Sequence, residues 1–487
     1  MRESGWNFLP AAFFLLVNFS VSGAKYLYFS RLTYFLFLIF LFLFLRRVNL
    51  RVILPPVVFG ISLILFLYGL VQKFVLFPVY MKQLTMPGGG SRTFYSQALL
   101  SRIASGRIFS LFVLPTLYAL VCGVLLVFIL HYFLAARKWG RFSWLLLGAL
   151  GGLNLLLTQS FGGIICSFLA VLYYLFYSRT LKVKYLAPAV MVLSLIFFVV
   201  VALRFSEARR MEPLTLRFSN WVQAARMATQ SPVFGVGLGN YESEVSFFEK
   251  PGEASSIYAH NFILQWTAET GLFFLALLIA AVSMFGVKNY RLFLARENIV
   301  FTSVILLVAV YNLIDIGIYF FAAGTALAVC LSQVLPAGEN TKRVPHLTAL
   351  IVLSAVLLFG QFAEDARKEG DSWASRQEYG KADSAFRKSL GWNPFSYRPL
   401  MGMAVIRDLE GRSGEAKSLL ESFLSRVPRF GYANYLLSKI YYREGGYLMA
   451  LYRAELAVKS NRRESQYRKW HEFIKTELQN QLVRPGN

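Results

Sequence analysis

Long apolar runs broken by short polar connections recur from the N-terminus to about residue 363, after which the pattern changes character. A run of about 20 apolar residues crosses roughly 30 Å of hydrocarbon as a helix. About eleven such runs are present, near 6–22, 27–45, 52–71, 108–134, 142–157, 162–178, 185–203, 262–286, 299–317, 319–336 and 346–363. The first has no cleavage pattern and leads at once into another span, so it reads as a retained helix. The pattern predicts an all-α, polytopic transmembrane helical bundle.

Every second connection is basic. The clusters are Arg46, Arg47 and Arg51; Arg137, Lys138 and Arg141; Arg179, Lys182 and Lys184; Lys288, Arg291 and Arg296; Lys342 and Arg343. Positive residues near span ends are retained in the cytoplasm. A cytoplasmic N-terminus puts all five clusters inside, and leaves loops 72–107 and 204–260 and everything after 363 outside.

Beyond residue 363 a 34-residue period appears in Ala382, Ala416 and Ala450, in Phe386, Leu420 and Ala454, and in Pro394 and Pro428. Small residues, Gly370, Ala404 and Ser438, stand twelve positions before each alanine. This resembles the tetratricopeptide repeat, in which small residues let two antiparallel helices approach closely. The expected organisation is a transmembrane domain over 1–363 and an extracytoplasmic helical-repeat domain over 364–487, with a concave surface for a protein partner.

Charge and composition narrow the function classes. Of 487 residues 56% are hydrophobic, and the formal net charge is +24. Much of that charge is the cytoplasmic clusters, whose ordinary roles are topology and contact with anionic lipid, so no nucleic-acid partner is expected. The three cysteines, Cys122, Cys166 and Cys330, all fall within spans and imply neither a disulfide framework nor a spaced metal site. No cofactor and no metal are expected.

Candidate chemistry lies in the outer loops. Loop 72–107 holds Lys73, Lys82, Arg92, Arg102 and Arg107 and no acidic residue, a composition suited to an anion such as a pyrophosphate or to lipid head groups. In loop 204–260, Leu214 to Gln230 reads as an amphipathic helix carrying Arg217, Trp221 and Arg226, and "SPVFGVGLGN" then breaks it. The alternating Gly235, Gly237 and Gly239 lack the strand, Lys and Ser/Thr that a phosphate-binding loop requires, which argues against a nucleotide site. "AHNFILQWTAETGL" then opens a span, and its His260 is the only histidine in either long outer loop.

Arg217, Trp221, Ala225, "SPVFGVGLGN" and "AHNFILQWTAETGL" together resemble the core motif of the O-antigen ligase and O-antigen polymerase family. The resemblance covers about residues 90 to 335 and is strongest over 214 to 272. It implies a bacterial cytoplasmic-membrane enzyme that transfers a glycan from an undecaprenyl-pyrophosphate carrier to a lipid or glycan acceptor at the outer face. It also implies that His260 lies near the acceptor and Arg217 at the pyrophosphate. Chemistry agrees with both: an imidazole titrates near neutrality and takes a proton, and a guanidinium stabilises charge developing on a leaving pyrophosphate.

Asn261 is expected to bind substrate as well as to orient the histidine or cap the helix, and Glu269 to pair within the bundle. Family members often carry Ser-Arg at the hairpin between the fifth and sixth spans, whereas here Ser160 precedes Phe161. Arg102 or Arg107 is then the expected substitute, with Ser160 beside the substrate. Asp315, read as lying toward the outer end of the ninth span, is expected to take an arginine or a structural hydrogen bond. Three other readings stand beside this one: a polymerase with the same donor chemistry, a lipid-linked glycan transporter or flippase, and a metal-dependent glycosyltransferase. The last would need a carboxylate pair in the first outer loop, which is only about "SGAK".

Overall fold

The structure is a computed structural model that describes residues 17–85, 102–178, 191, 212–335 and 344–483, apart from 21, 23, 251, 252, 254, 255, 462 and 463. The expected span at 185–203, except position 191, and most of that at 6–22 lie outside the described residues, as do Arg92, Arg179, Lys182, Lys184, Lys342 and Arg343. All regular structure among the described residues is helical.

In chain order the first helices are α1 (Lys25–Leu45), α2 (Leu54–Lys82), α3 (Pro115–Ala135), α4 (Lys138–Leu157), α5 (Phe161–Ser178), α6 (Glu212–Gln230), α7 (Phe262–Leu294), α8 (Ile299–Asn312), α9 (Phe321–Val334) and α10 (Val344–Ser375). Seven of them, α1 to α5, α7 and α10, are long and apolar enough to cross a bilayer, so this is a multi-pass membrane protein. Lipid offers no hydrophobic drive between helices, so they approach through small residues. At Gly163 in α5 a Cβ would lie 2.4 Å from that of Ala119 in α3.

Two of the expected spans take another form. The runs 299–317 and 319–336 become the buried 14-residue helices α8 and α9, each about 21 Å long at 1.5 Å per residue and so shorter than the hydrocarbon core. Between them the chain turns through 313–320, where Asp315, Ile316 and Tyr319 are buried by protein. Irregular backbone is tolerated at depth only when protein encloses it. The expected outer loop 72–107 also begins late, because its apolar start continues α2 through a wider turn at Gln72–Leu76. Gln72 accepts from the amides of Phe109 and Ser110, at 2.8 and 2.9 Å, and so ties this turn to the descending chain.

Two of the basic connections meet at one end of the bundle. Arg46 donates to the carbonyl of Leu335, Arg51 to that of Glu297, and Arg296 to that of Ser178. At the start of α9, near the middle of α1, Tyr34 donates to the carbonyls of Ile318 and Phe320, and Arg31 to that of Tyr319.

After residue 363, α10 runs on unbroken and pairs with α11 (Tyr379–Trp392), followed by the pairs α12 (Arg398–Leu409) with α13 (Ser413–Arg426) and α14 (Gly431–Arg443) with α15 (Tyr447–Ser460), and then α16 (Ser465–Val483). The 34-residue alanines Ala382, Ala416 and Ala450 are all fully buried between paired helices. The small residues opposite them allow the close approach: Gly370 packs on the ring of Phe386, and Ser438 donates to the carbonyl of Ala450 at 2.6 Å. The array meets the membrane part through Arg429–Glu244 at 2.6 Å and Arg398–Glu242 at 3.4 Å.

α7 is broken at Gly271, whose φ of 84° is costly for a residue with a Cβ. The carbonyls of Ala268 and Glu269, released by the break, accept from the amides of Val236 and Gly237, and the amide of Leu272 donates to the carbonyl of Pro232. The glycine-rich stretch is therefore the backbone partner of a broken helix. At Gly235, with φ 65°, a Cβ would lie 2.4 Å from the backbone of Glu269. Gly271→Ala is expected to cut the yield of monodisperse, detergent-extracted protein severely, because its Cβ would lie 2.1 Å from the Val233 carbonyl oxygen. Gly286→Ala, with open space around it, is expected to match wild type in the same size-exclusion assay; equal yields of the two variants would refute this account of the break.

Candidate functional site

Three elements distant in sequence converge on one carboxylate. Arg217 comes from the second turn of α6, His260 from the residue before the N-cap of α7, and Asp315 from the turn between α8 and α9. The Nδ1 of His260 lies 3.0 Å from Asp315 Oδ1, and the Nη2 of Arg217 lies 3.4 Å from Asp315 Oδ2. The Tyr311 hydroxyl donates to Oδ2 at 3.1 Å and the Ile316 amide to Oδ1 at 2.9 Å. Asp315 thus gathers four donors around its two oxygens, one each from His260, Arg217, Tyr311 and the Ile316 amide.

His260 is fixed from several sides. Its backbone is in the left-handed region at φ 52°, a conformation that surrounding contacts must maintain. The Trp221 indole donates to its carbonyl at 3.3 Å. Asn261 then caps α7 by accepting from the Leu264 amide at 3.0 Å, while its side-chain amide donates to the Leu313 carbonyl at 2.7 Å. Asn261 thus locks the start of α7 to the turn that carries Asp315. With an ionised carboxylate at Nδ1, the proton of a neutral imidazole resides there and Nε2 keeps its lone pair. Nε2 faces the hydroxyl of Ser256 at 3.3 Å.

The hairpin between α4 and α5 flanks this site. A Cβ at Gly162, in the first turn of α5, would lie 4.0 Å from Nη1 of Arg217. Arg107 reaches the same hairpin and donates from Nε to the Thr158 carbonyl at 3.1 Å. Arg102 instead donates to the carbonyl of Val113. No hydrogen bond or ion pair recorded among the described residues joins Arg102 to the His260 cluster. Ser160 is 3% exposed and its Oγ accepts from the Gly163 amide at 3.3 Å, so it caps α5.

Asp315 is the residue whose part the sequence understated. An arginine partner was expected and Arg217 is there, but the same carboxylate also holds His260. The signal lay in the spacing Tyr311-x-x-x-Asp315, which puts a hydroxyl donor one turn before an acid in an apolar stretch. Glu269 forms a separate buried network, accepting from Gln265, the Gly239 amide and Tyr319 at 2.8 to 3.0 Å.

Residues 145–279 match the family model described as O-Antigen ligase, a stretch that includes Arg217, the glycine-rich segment, His260 and the opening of α7. No curated protein and no solved structure matches the chain.

The loop that precedes His260 is clamped to α6 by a paired contact of Arg226 with Glu253, at 2.6 and 2.7 Å. The hydrogen bond from Arg226 pulls the Glu253 carboxyl down to about 2. Because folding lowers this pKa, the pair contributes fully above the ordinary glutamate value of about 4.3 and loses its contribution as pH falls toward the folded value. Amide hydrogen exchange across 241–250 is therefore expected to accelerate between pH 5 and pH 2.5 beyond its intrinsic pH dependence, and Glu253→Gln to be fast at both. An acid-insensitive exchange rate in wild type would contradict the clamp.

Proposed function

We propose that the chain is a membrane glycan transferase that moves a glycan from an undecaprenyl-pyrophosphate carrier to an acceptor hydroxyl at the outer face of the bacterial cytoplasmic membrane. The observation that carries the reading is the carboxylate of Asp315 shared by an imidazole and a guanidinium. Neither a passive helix cap nor a lipid-head-group contact requires that pairing. The family match over 145–279, which spans both residues, supports it.

In this reading Asp315 accepts the Nδ1 proton of His260 and leaves Nε2 as general base. Nε2 takes the proton of the acceptor hydroxyl as its oxygen forms a bond to the anomeric carbon of the glycan. The bond from that carbon to the pyrophosphate oxygen breaks, and undecaprenyl pyrophosphate leaves with the bonding electrons. Arg217 stabilises the negative charge that develops there, a task suited to its planar fork of donors. The proton then passes from the imidazole to solvent.

Arg107 supplies the second cation at the α4–α5 hairpin, where the family pattern expects an arginine and this chain has Phe161. Its bond to the Thr158 carbonyl favours it over Arg102, which is directed to Val113. The basic connections face the cytoplasm, the His260 end faces outward, and the 34-residue hairpins are tetratricopeptide-like units that recruit or select the acceptor. A polymerase, with a second lipid-linked glycan as acceptor, uses the same groups in the same roles.

Transfer of a radiolabelled glycan from purified undecaprenyl-pyrophosphate donor to acceptor is the test. His260→Ala and Arg217→Ala are each expected to abolish transfer while the protein still inserts and accumulates. Asp315→Asn is expected to lower kcat by about 10²- to 10⁴-fold with a smaller change in donor KM, the scale of lost general-base catalysis. Wild-type rates in both His260→Ala and Arg217→Ala would remove the enzymatic assignment.

A further inference from the structure

His260 presents its two ring nitrogens to different surroundings. Nδ1 faces Asp315 and, through it, Arg217. Nε2 faces Ser256, and Ser256 lines a cleft of about 460 Å³ between the outer loop and the C-terminal helical array. That volume falls within the range of small-molecule sites, about 300–1,000 Å³.

The lining has a definite chemistry. Glu242 comes from the outer loop, and Tyr432 and Glu464 from the array; Glu249 and Tyr467 also line the cleft but are buried, Tyr467 against the ring of Tyr435. Carboxylates accept hydrogen bonds from hydroxyls, and tyrosine rings offer a flat apolar face with a polar tip. Hydroxyl donors around an apolar ring face are the two surfaces of a sugar. Among the described lining residues three are carboxylates, Glu242, Glu249 and Glu464, and one is a guanidinium, Arg429; Glu242 is paired with Arg398 at 3.4 Å and Arg429 with Glu244 at 2.6 Å. Carboxylates repel a diphosphate, so the donor head group belongs on the Arg217 side and not here.

We infer that this cleft is the acceptor subsite, and that it binds uncharged sugar residues so that one hydroxyl reaches Nε2 of His260. The inference rests on the transferase reading, in which His260 takes the acceptor's proton. It assigns the C-terminal array a direct part in the site: half of the acceptor's contacts come from α14 and from the chain around the start of α16. Acceptor choice is then set by residues of the array, and the Ser256 hydroxyl occupies the place that the acceptor hydroxyl takes.

The test uses the full-length protein in detergent and a printed array of defined oligosaccharides, neutral and acidic. Wild type is expected to bind a subset of the neutral glycans and no acidic glycan more strongly. Tyr432→Ala and Glu464→Gln are each expected to weaken that binding by about tenfold, and Tyr432→Phe to retain it. In the transfer assay the same two variants should raise acceptor KM by a similar factor, leaving kcat and donor KM within about twofold.

Binding confined to acidic glycans, an absence of neutral-glycan binding, or wild-type affinity in both variants would overturn the inference. A rise in donor KM in place of acceptor KM would do the same, by assigning the cleft to the donor's glycan. His260→Ala separates this failure from failure of the transferase reading, because it should lose transfer and keep glycan binding. If wild type binds neutral glycans through Tyr432 and Glu464 yet transfers none, the cleft stands as a glycan site and the reaction assignment falls. Thermal unfolding matched to wild type is required of Tyr432→Ala, and Glu464→Gln, at the start of an exposed helix, provides the second reading if that variant does not fold.

Discussion

The carboxylate of Asp315 is the constraint on which the arrangement depends. Removing a carboxylate from water is costly, and the cost is met only when its oxygens are surrounded by donors. Here the donors come from His260, Arg217, Tyr311 and the Ile316 amide, so α6, the start of α7 and the α8–α9 turn cannot move independently without stranding a buried charge. In the proposed reaction the same contacts would polarise the imidazole and aim the guanidinium, so one set of hydrogen bonds would serve both fold and chemistry.

That convergence requires helices that do not simply cross. α8 and α9 are short and protein-enclosed, which brings the turn bearing Asp315 inward. α7 is broken at Gly271, so residues 265–271 are buried in protein while exposed apolar residues such as Ile279, Val282 and Met284 lie beyond the break. Broken helices expose backbone groups, and the 232–237 segment answers them one by one. Asn18 adds a donor to the Glu269 carbonyl at 3.1 Å and accepts from the Leu238 amide, tying the N-terminal chain into the same seam. The glycines of this seam serve helix packing, in keeping with the absence of the lysine and hydroxyl that a phosphate loop carries.

The legibility of the sequence follows from which interactions are local. The helical class, the amphipathic α6 and the 34-residue period are local patterns, and each was readable. His260 and Arg217 stood out because polar residues are scarce in this composition and because both belong to a recognisable run. The joint hold of Asp315 on both was not readable, since nothing in 98 residues of intervening chain specifies that Arg217 and Asp315 meet. Ser160 was read as a substrate contact, but in the structure its hydroxyl caps α5 at the Gly163 amide; serine is favoured at caps irrespective of function. The start of loop 72–107 was misplaced because an apolar run that continues past a wide turn has no boundary signal, and the apolar runs over 299–336 form helices of 14 residues each, whose short length composition does not reveal.

The C-terminal array is held more firmly than surface charge pairs alone would allow. Exposed pairs contribute little, and Arg429 is 53% exposed; its partner Glu244, however, is only 8% exposed. Burial pushes the Glu244 carboxyl up despite the opposing charge and hydrogen bond of Arg429, so the pair offsets part of a desolvation cost that docking itself imposes. α10 adds a mechanical link, since it continues without a break from its apolar half into the first hairpin and packs along α1. The array is thus joined to the rest of the chain both through a continuous helix and through the Arg429–Glu244 pair. A fixed distance is what a subsite needs if it is to present one hydroxyl out of many to a single nitrogen, whereas a flexible tether would serve recruitment alone.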